Sequence, residues 1–357
     1  MPEDILKNKL DGHKDIFFIH SLVIFIFFIL TIILTFPVIF DFNSELAGEG
    51  CHDKCHMMWR IWWADYSIEN NLDFLNTDYI FYPDGTSIGG NLALFTTGLG
   101  LMIFKLTNNL ISVYNTVIFI GFVFGGYSAY LLANHFNRNL YSSIIAGVVF
   151  TFSTYHLTHS GHHIGLSMIG WIPLYILFLF KIQSKHSTLY SIFGGIILFL
   201  VGITHLYYFV MVMIFSFVFL GVFLLKKKDV SNKIFIKQFS IIMVIGIILT
   251  VSFSYSTFFS DEEFETNPLW QHEMFSVSIE NLIMPSPKHT TQIYSDYELL
   301  YGFHALAGSP DVGFRSVEQV VYLGYAAIIL ATIALIKFRR QYAWFWASVG
   351  GLFLLIS

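Results

Sequence analysis

Residues Ile16 to Phe40 form an apolar run of 25 residues without a single Asp, Glu, Lys or Arg. About 20 such residues cross a hydrocarbon core, and in lipid the backbone must satisfy its own hydrogen bonds, so the run has to be a helix. Further apolar segments follow at 91–107, 110–134, 141–155, 163–181, 188–225, 234–257, 318–336 and 342–357. Composition agrees, with 55% apolar and only 12% charged residues, too few charges to coat soluble domains of this length. The expected fold is an all-α polytopic membrane protein. We expect about 8–9 transmembrane helices in one domain over 1–357, plus an amphipathic or re-entrant outer segment and two long outer loops at 41–90 and 258–317.

Lys7, Lys9 and Lys14 precede the first run. A cleavable signal peptide has a shorter apolar region and a small-residue cleavage site, so the run reads as a retained anchor with a cytoplasmic N-terminus. If 91–107 crossed alone, Arg138, Lys181, Lys185 and Lys226 to Lys228 would lie outside, against the positive-inside rule. Treated as re-entrant or surface-lying, it leaves them inside. The stretch 188–225 is about twice a span, with Lys185 and Lys226 beyond its ends, so it reads as a hairpin turning near Thr204-His205-Leu206-Tyr207. The inner side then carries 14 Lys and Arg against 5 Asp and Glu, and the outer side 5 against 19. The protein is expected in the cell membrane with its active face extracytoplasmic. With a net charge of −5 it shows no basic surface for nucleic acid.

The chemistry therefore belongs at the outer rim. Charged groups buried in the spans, the working parts of ion-coupled transporters and voltage sensors, are missing apart from Lys105 in 91–107. Phosphate-cradling, dinucleotide, nucleophile-elbow and zinc-protease motifs are absent, as are repeats. Helical spacing of Met58, Ile61, Trp62, Tyr66 and Ile68 predicts an amphipathic helix in the outer interface, with its tryptophans as anchors. Tyr82-Pro83-Asp84-Gly85 then predicts a turn. Before that helix, Cys51-His52-Asp53-Lys54-Cys55-His56 carries three readings: a metal held by His52 and His56 with one-turn spacing, a tight disulfide, or free thiols. A divalent metal is the one cofactor considered. His156, His159, His162 and His163 fall within eight residues at an outer helix end, suited to a phosphate or a metal, or to capping the helix. The second loop is broken by Met284-Pro285-Ser286-Pro287 and reads as an irregular lid.

The order of these features carries a resemblance. A single anchor helix is followed by an early Asp, Trp59-Arg60-Ile61-Trp62-Trp63, Phe81-Tyr82-Pro83-Asp84-Gly85, Phe150 to Tyr155 with His159 and His162, Trp171-Ile172-Pro173-Leu174, and Glu318 with Tyr322-Leu323-Gly324-Tyr325. This resembles the GT-C superfamily of polytopic glycosyltransferases, in its prokaryotic YfhO-like branch. The resemblance implies an inverting transfer of a sugar from a polyprenyl-phosphate donor to a glycan, lipid or protein acceptor at the outer face. It implies Asp53 as the general base, although Lys54 stands where relatives often carry a second acid. For substrate binding we expect Arg60, which follows Asp53 by two helical turns, and the histidines His159, His162 and His163, with His205, Asp78 and Glu318 as further contacts. The alternative is a non-enzymatic membrane protein for transport or assembly of lipid-linked glycans or a partner complex. The last apolar segment stops after about 16 residues, slightly short for a span, and reads as the start of a longer protein.

Overall fold

The computed structural model describes residues 3–48, 52–88, 93–226, 230–255, 282, 321–337 and 341–356. The second long loop, 258–317, and Glu318 lie outside the described residues. Twelve described helices carry the chain: α1 Glu3–Leu34, α2 His52–Glu69, α3 Leu94–Thr107, α4 Leu110–Asn137, α5 Leu140–Thr151, α6 Thr154–Ser160, α7 Trp171–Lys185, α8 Thr188–Thr204, α9 Leu206–Lys226, α10 Val230–Phe253, α11 Tyr325–Lys337 and α12 Gln341–Ile356. Five stretches are long and apolar enough to cross a membrane (Ile16–Leu34, Leu110–Asn137, Ile164–Lys185, Leu206–Leu225 and Asn232–Phe253), and the α5–α6 pair, bent by 48°, makes a sixth. The helices α3, α8, α11 and α12 are apolar but shorter.

The expected all-α fold needs one small correction. A two-stranded antiparallel hairpin, β1 Asn76–Thr77 with β2 Thr86–Ser87, lies in the segment read as the first outer loop. Its turn includes the expected Tyr82–Pro83, a cis peptide, and Gly85 at φ 68°. A Cβ on Gly85 would come within 2.7 Å of the Thr77 carbonyl oxygen, so the position calls for glycine.

The long helices run alternately up and down. Phe27 of α1 packs against Gly126 of α4 and Gly147 of α5, where the absent Cβ atoms make room for the ring. Thr151 Oγ1 of α5 donates to Phe122 O of α4 at 2.8 Å, and Phe180 of α7 meets Phe136 of α4 edge-on at 4.7 Å. Gly195 and Gly202 of α8 let Ile245 and Thr250 of α10 approach closely. The largest buried cluster joins α7, α8, α9 and α10 with Phe345 and Val349 of α12. The chain reverses at His205, between α8 and α9, as the length of 188–225 predicts.

One set of hydrogen bonds decides how 43–109 is arranged. Asn109 Nδ2 donates to Asn43 O at 2.9 Å, and Ser112 Oγ donates to Asn43 Oδ1 at 2.7 Å. Asn115, fully buried, accepts from Ala47 N and donates to Phe42 O and Glu45 O. The two ends of the segment are thus held side by side, at the start of α4. Inside it, α2 and α3 lie side by side, with Ile61 against Gly100 and Lys105 Nζ 2.6 Å from both Asp65 and Glu69.

The expected interfacial helix is α2, but it is more deeply seated than a surface anchor. Ile61, Trp63 and Ala64 are buried, and Trp63 stacks on Trp59 at 5.9 Å and donates through Nε1 to Phe74 O. The reason is cover from two sides: α3 lies against Ile61 at Gly100, and Tyr79 beside the hairpin packs on Trp63 at 5.2 Å.

Candidate functional site

Asp53 sits in the first turn of α2, at the bundle end where 43–109 folds back. His163, which precedes the 3-10 turn Ile164–Ser167, reaches it from beyond α4 and α5: its Nδ1 lies 3.2 Å from Asp53 Oδ2. That is ion-pair distance, the imidazole being charged only when protonated. The Asp53 side chain is 62% exposed. Two of the expected site residues, 110 positions apart in sequence, are therefore brought together.

Several elements position this pair. Lys54 is 1% exposed and its Nζ donates to Ala47 O at 2.9 Å. Beside it Gly48, at φ 82°, lies so near Gly161 that an added Cβ would stand 2.9 Å from the Gly161 carbonyl oxygen. Tyr114 OH donates to Ser160 O. The residues before α2 are thus pinned to the C-terminus of α6, which carries the histidine run. Lys54 holds the loop rather than offering a charge to solvent, and sequence reading missed that. Asn115 was also missed, though a lone amide inside an apolar run is a signal that something polar must meet it.

His205 closes the same rim, lying against Gly165 and close enough to His163 to act on its charge. Its pKa is lowered to about 4 by burial first and by His163 second, so it is neutral at pH 7. The rest of the histidine run is not an open cluster. His159 is buried, stacked on Tyr155 at 4.0 Å, with Nδ1 donating to Tyr155 O; His162 Nδ1 donates to Thr158 O. Both nitrogens of His156 meet carbonyls, Thr151 O at 2.6 Å and Ser167 O at 2.8 Å, so it ties α5 to the 3-10 turn.

Arg60 does not share an open surface with Asp53. It is 4% exposed, and burial lowers its pKa. The two-turn spacing puts both residues at one azimuth, but the second turn is already under neighbouring elements. Between them His56, open on one side, has its pKa lowered by partial burial and by Arg60, against an opposing pull from Asp53.

The three readings of the cysteine segment are narrowed. Cys55 is disulfide-bonded, so it is no free thiol, and the chain has one other cysteine, Cys51. Among the described residues no three His, Cys, Asp or Glu side chains are placed to hold a metal ion; the His52 side chain lies outside them. One carboxylate and one imidazole beside a pinned lysine are a poor donor set for a hard divalent cation, which takes six or more oxygen ligands.

Asp78 is brought to a different place. It lines a cavity of about 670 Å³ together with Trp63, Asp73, Tyr79, Asp84 and Thr86, beside the hairpin. Neither this cavity nor the apolar groove of about 470 Å³ between α1 and α4 includes Asp53.

Long apolar helices and a polar rim at one bundle end define a helical membrane protein. The chain belongs to the family described as Domain of unknown function (DUF6311), which matches residues 23–357. No curated protein matches it.

Proposed function

We infer that the protein is a membrane glycosyltransferase that takes a sugar from a polyprenyl-phosphate donor and passes it to an extracytoplasmic glycan, lipid or protein acceptor with inversion. The observation that carries this reading is the Asp53–His163 pair, an exposed carboxylate aligned by an imidazole at the rim of a membrane-embedded bundle. Asp53 takes the proton of the acceptor hydroxyl while its oxygen attacks the anomeric carbon. The bond from that carbon to the phosphate oxygen breaks, and the electron pair leaves with the lipid phosphate. His163 keeps Asp53 oriented and supplies positive character when protonated.

The orientation in this reading follows from charge. Asp41, Glu45, Asp53, Asp65 and Glu69 gather at the rim end, and Arg138, Lys181 and Lys185 at the other, which the positive-inside rule makes cytoplasmic. Counting α8, α11 and α12 as crossings beside the six longer candidates gives nine, with α1 entering from the cytoplasm.

The exposure of Asp53, reached by neither described cavity, favours a second reading: a non-enzymatic protein that presents this rim to a partner or a lipid-linked glycan in transit. One experiment separates the two. Purified protein in liposomes receives polyprenyl-phosphate sugars and candidate acceptors, and transfer is followed by mass spectrometry. The enzyme reading expects transfer that falls by about 100- to 10,000-fold in Asp53→Asn. Transfer that survives the substitution removes Asp53 from the role, and none in the wild type across the donor panel favours the second reading.

A further inference from the structure

We propose that the bundle end opposite Asp53 holds a binding site for the phosphate headgroup of an anionic membrane phospholipid, formed by Arg138, Lys181 and Lys185. This inference does not depend on the role of Asp53. Arg138 caps the C-terminus of α4, and Lys181 and Lys185 occupy successive turns at the C-terminus of α7. Phe136 of α4 meets Phe180 of α7 at 4.7 Å, two residues before Arg138 and one before Lys181, so the two basic helix ends lie side by side.

The lysines are held rather than splayed. Lys181 Nζ stands 5.0 Å from the Phe178 ring centroid and 5.3 Å from that of Tyr190, and Lys185 Nζ stands 5.7 Å from the same Tyr190 ring. Two ammonium groups over one tyrosine repel each other, and a shared anion relieves that. Among the described residues, no carboxylate forms an ion pair with any of the three; the pairs Lys105–Asp65, Lys105–Glu69 and His163–Asp53 lie at the other end. The two helix C-termini each contribute roughly half a negative charge, so among the described residues about two of the three permanent positive charges stay uncompensated.

The surroundings select a lipid over a free phosphate. Tyr141 and Leu189 are exposed beside the cations, and Trp346 of α12 lies 6.4 Å from Phe136 and 6.0 Å from Phe180. Tyrosine and tryptophan are the side chains favoured at headgroup depth, and exposed Leu189, Ile192 and Phe193 continue as an apolar face suited to acyl chains. A ligand with an anionic head and a hydrocarbon body satisfies both parts.

The test titrates delipidated full-length protein in neutral detergent with short-chain phosphatidylglycerol, phosphatidylcholine or glycerol 3-phosphate, and reads affinity by thermophoresis. Phosphatidylglycerol is expected to bind, with the other two at least tenfold weaker. Lys181→Gln with Lys185→Gln is expected to weaken it about thirtyfold, since each charge near a lipid surface is worth about fivefold. Lys181→Arg with Lys185→Arg retains binding, and Lys105→Gln, at the opposite end, leaves it unchanged. Equal binding of the two lipids, equal binding of glycerol 3-phosphate, or an unchanged affinity in the double glutamine variant overturns the proposal. If the double glutamine variant fails to fold, Lys185→Gln alone, expected about fivefold weaker, decides; an unchanged affinity there overturns it too.

Discussion

His205 is a base that folding has stripped of its proton. Its pKa falls to about 4 in the protein, against an ordinary 6.5, because burial at the turn between α8 and α9 disfavours the imidazolium and His163 adds repulsion. Between pH 6.5 and 4 the unfolded chain therefore binds a proton that the folded one does not, and stability falls as the pH falls through that window. The upper bound on the loss is about 3 kcal/mol. Thermal unfolding in detergent between pH 7 and 4 should show this slope, and His205→Gln should flatten it; an equal slope in the variant assigns it to other groups. The residue scale is also where sequence reading was least complete. Asp53 and His163 were both picked out, but the roles of His156, His159 and His162 turn on which carbonyl each nitrogen meets. The bonds from His159 to Tyr155 O and from His162 to Thr158 O are one-turn bonds that any helical histidine can make. Only the backbone path decides between such a bond and a ligand, so a run of histidines reads alike in both cases.

Among the elements, the strap 41–48 has the most leverage over the site. It has no regular structure of its own and is held mainly by Asn115, Lys54 and the contact of Gly48 with Gly161. Asn115→Leu keeps the volume and abolishes three hydrogen bonds, leaving one buried N–H and two carbonyls unmet. The expected cost is about 3–6 kcal/mol, taking about 1–2 kcal/mol for each group. It should appear as a lowered unfolding temperature and as faster protease cleavage within 41–90, whereas Asn109→Ala, which removes a helix cap and one bond, should cost about half as much. Equal losses in the two would mean the strap is held elsewhere. At this scale the sequence is legible where periodicity and length speak. The hairpin α8–α9 and the helix α2 follow from apolar spacing and span length. The depth of α2 does not, because the partner covering it, α3, is 25 residues further on, and nothing in local spacing states that two apolar stretches will lie side by side.

For the whole molecule the decisive question was whether 91–107 crosses the membrane, since every later loop changes side with the answer. Charge counting prefers no crossing, and the hydrogen bonds from Asn109, Ser112 and Asn115 back to residues 42–47 hold the two ends of the segment together, as a segment that does not cross requires. That agreement yields a test needing neither substrate nor activity. Single cysteines at Tyr82, Thr107 and Tyr141, all exposed, are placed in the otherwise native chain and challenged with a membrane-impermeant maleimide on intact cells. Cys55 stays unreactive in its disulfide unless reduced. Tyr82→Cys and Thr107→Cys should be labelled from the same side, and Tyr141→Cys only after the membrane is opened. Labelling of Thr107→Cys from the side opposite Tyr82→Cys would make α3 a true crossing. The strap could not then tie residue 43 to residue 109, and Arg138, Lys181 and Lys185 would move to the outer face. Because α4 joins Thr107 to Tyr141 by a single 28-residue helix, those two sites must always report opposite sides, which checks the labelling independently of α3.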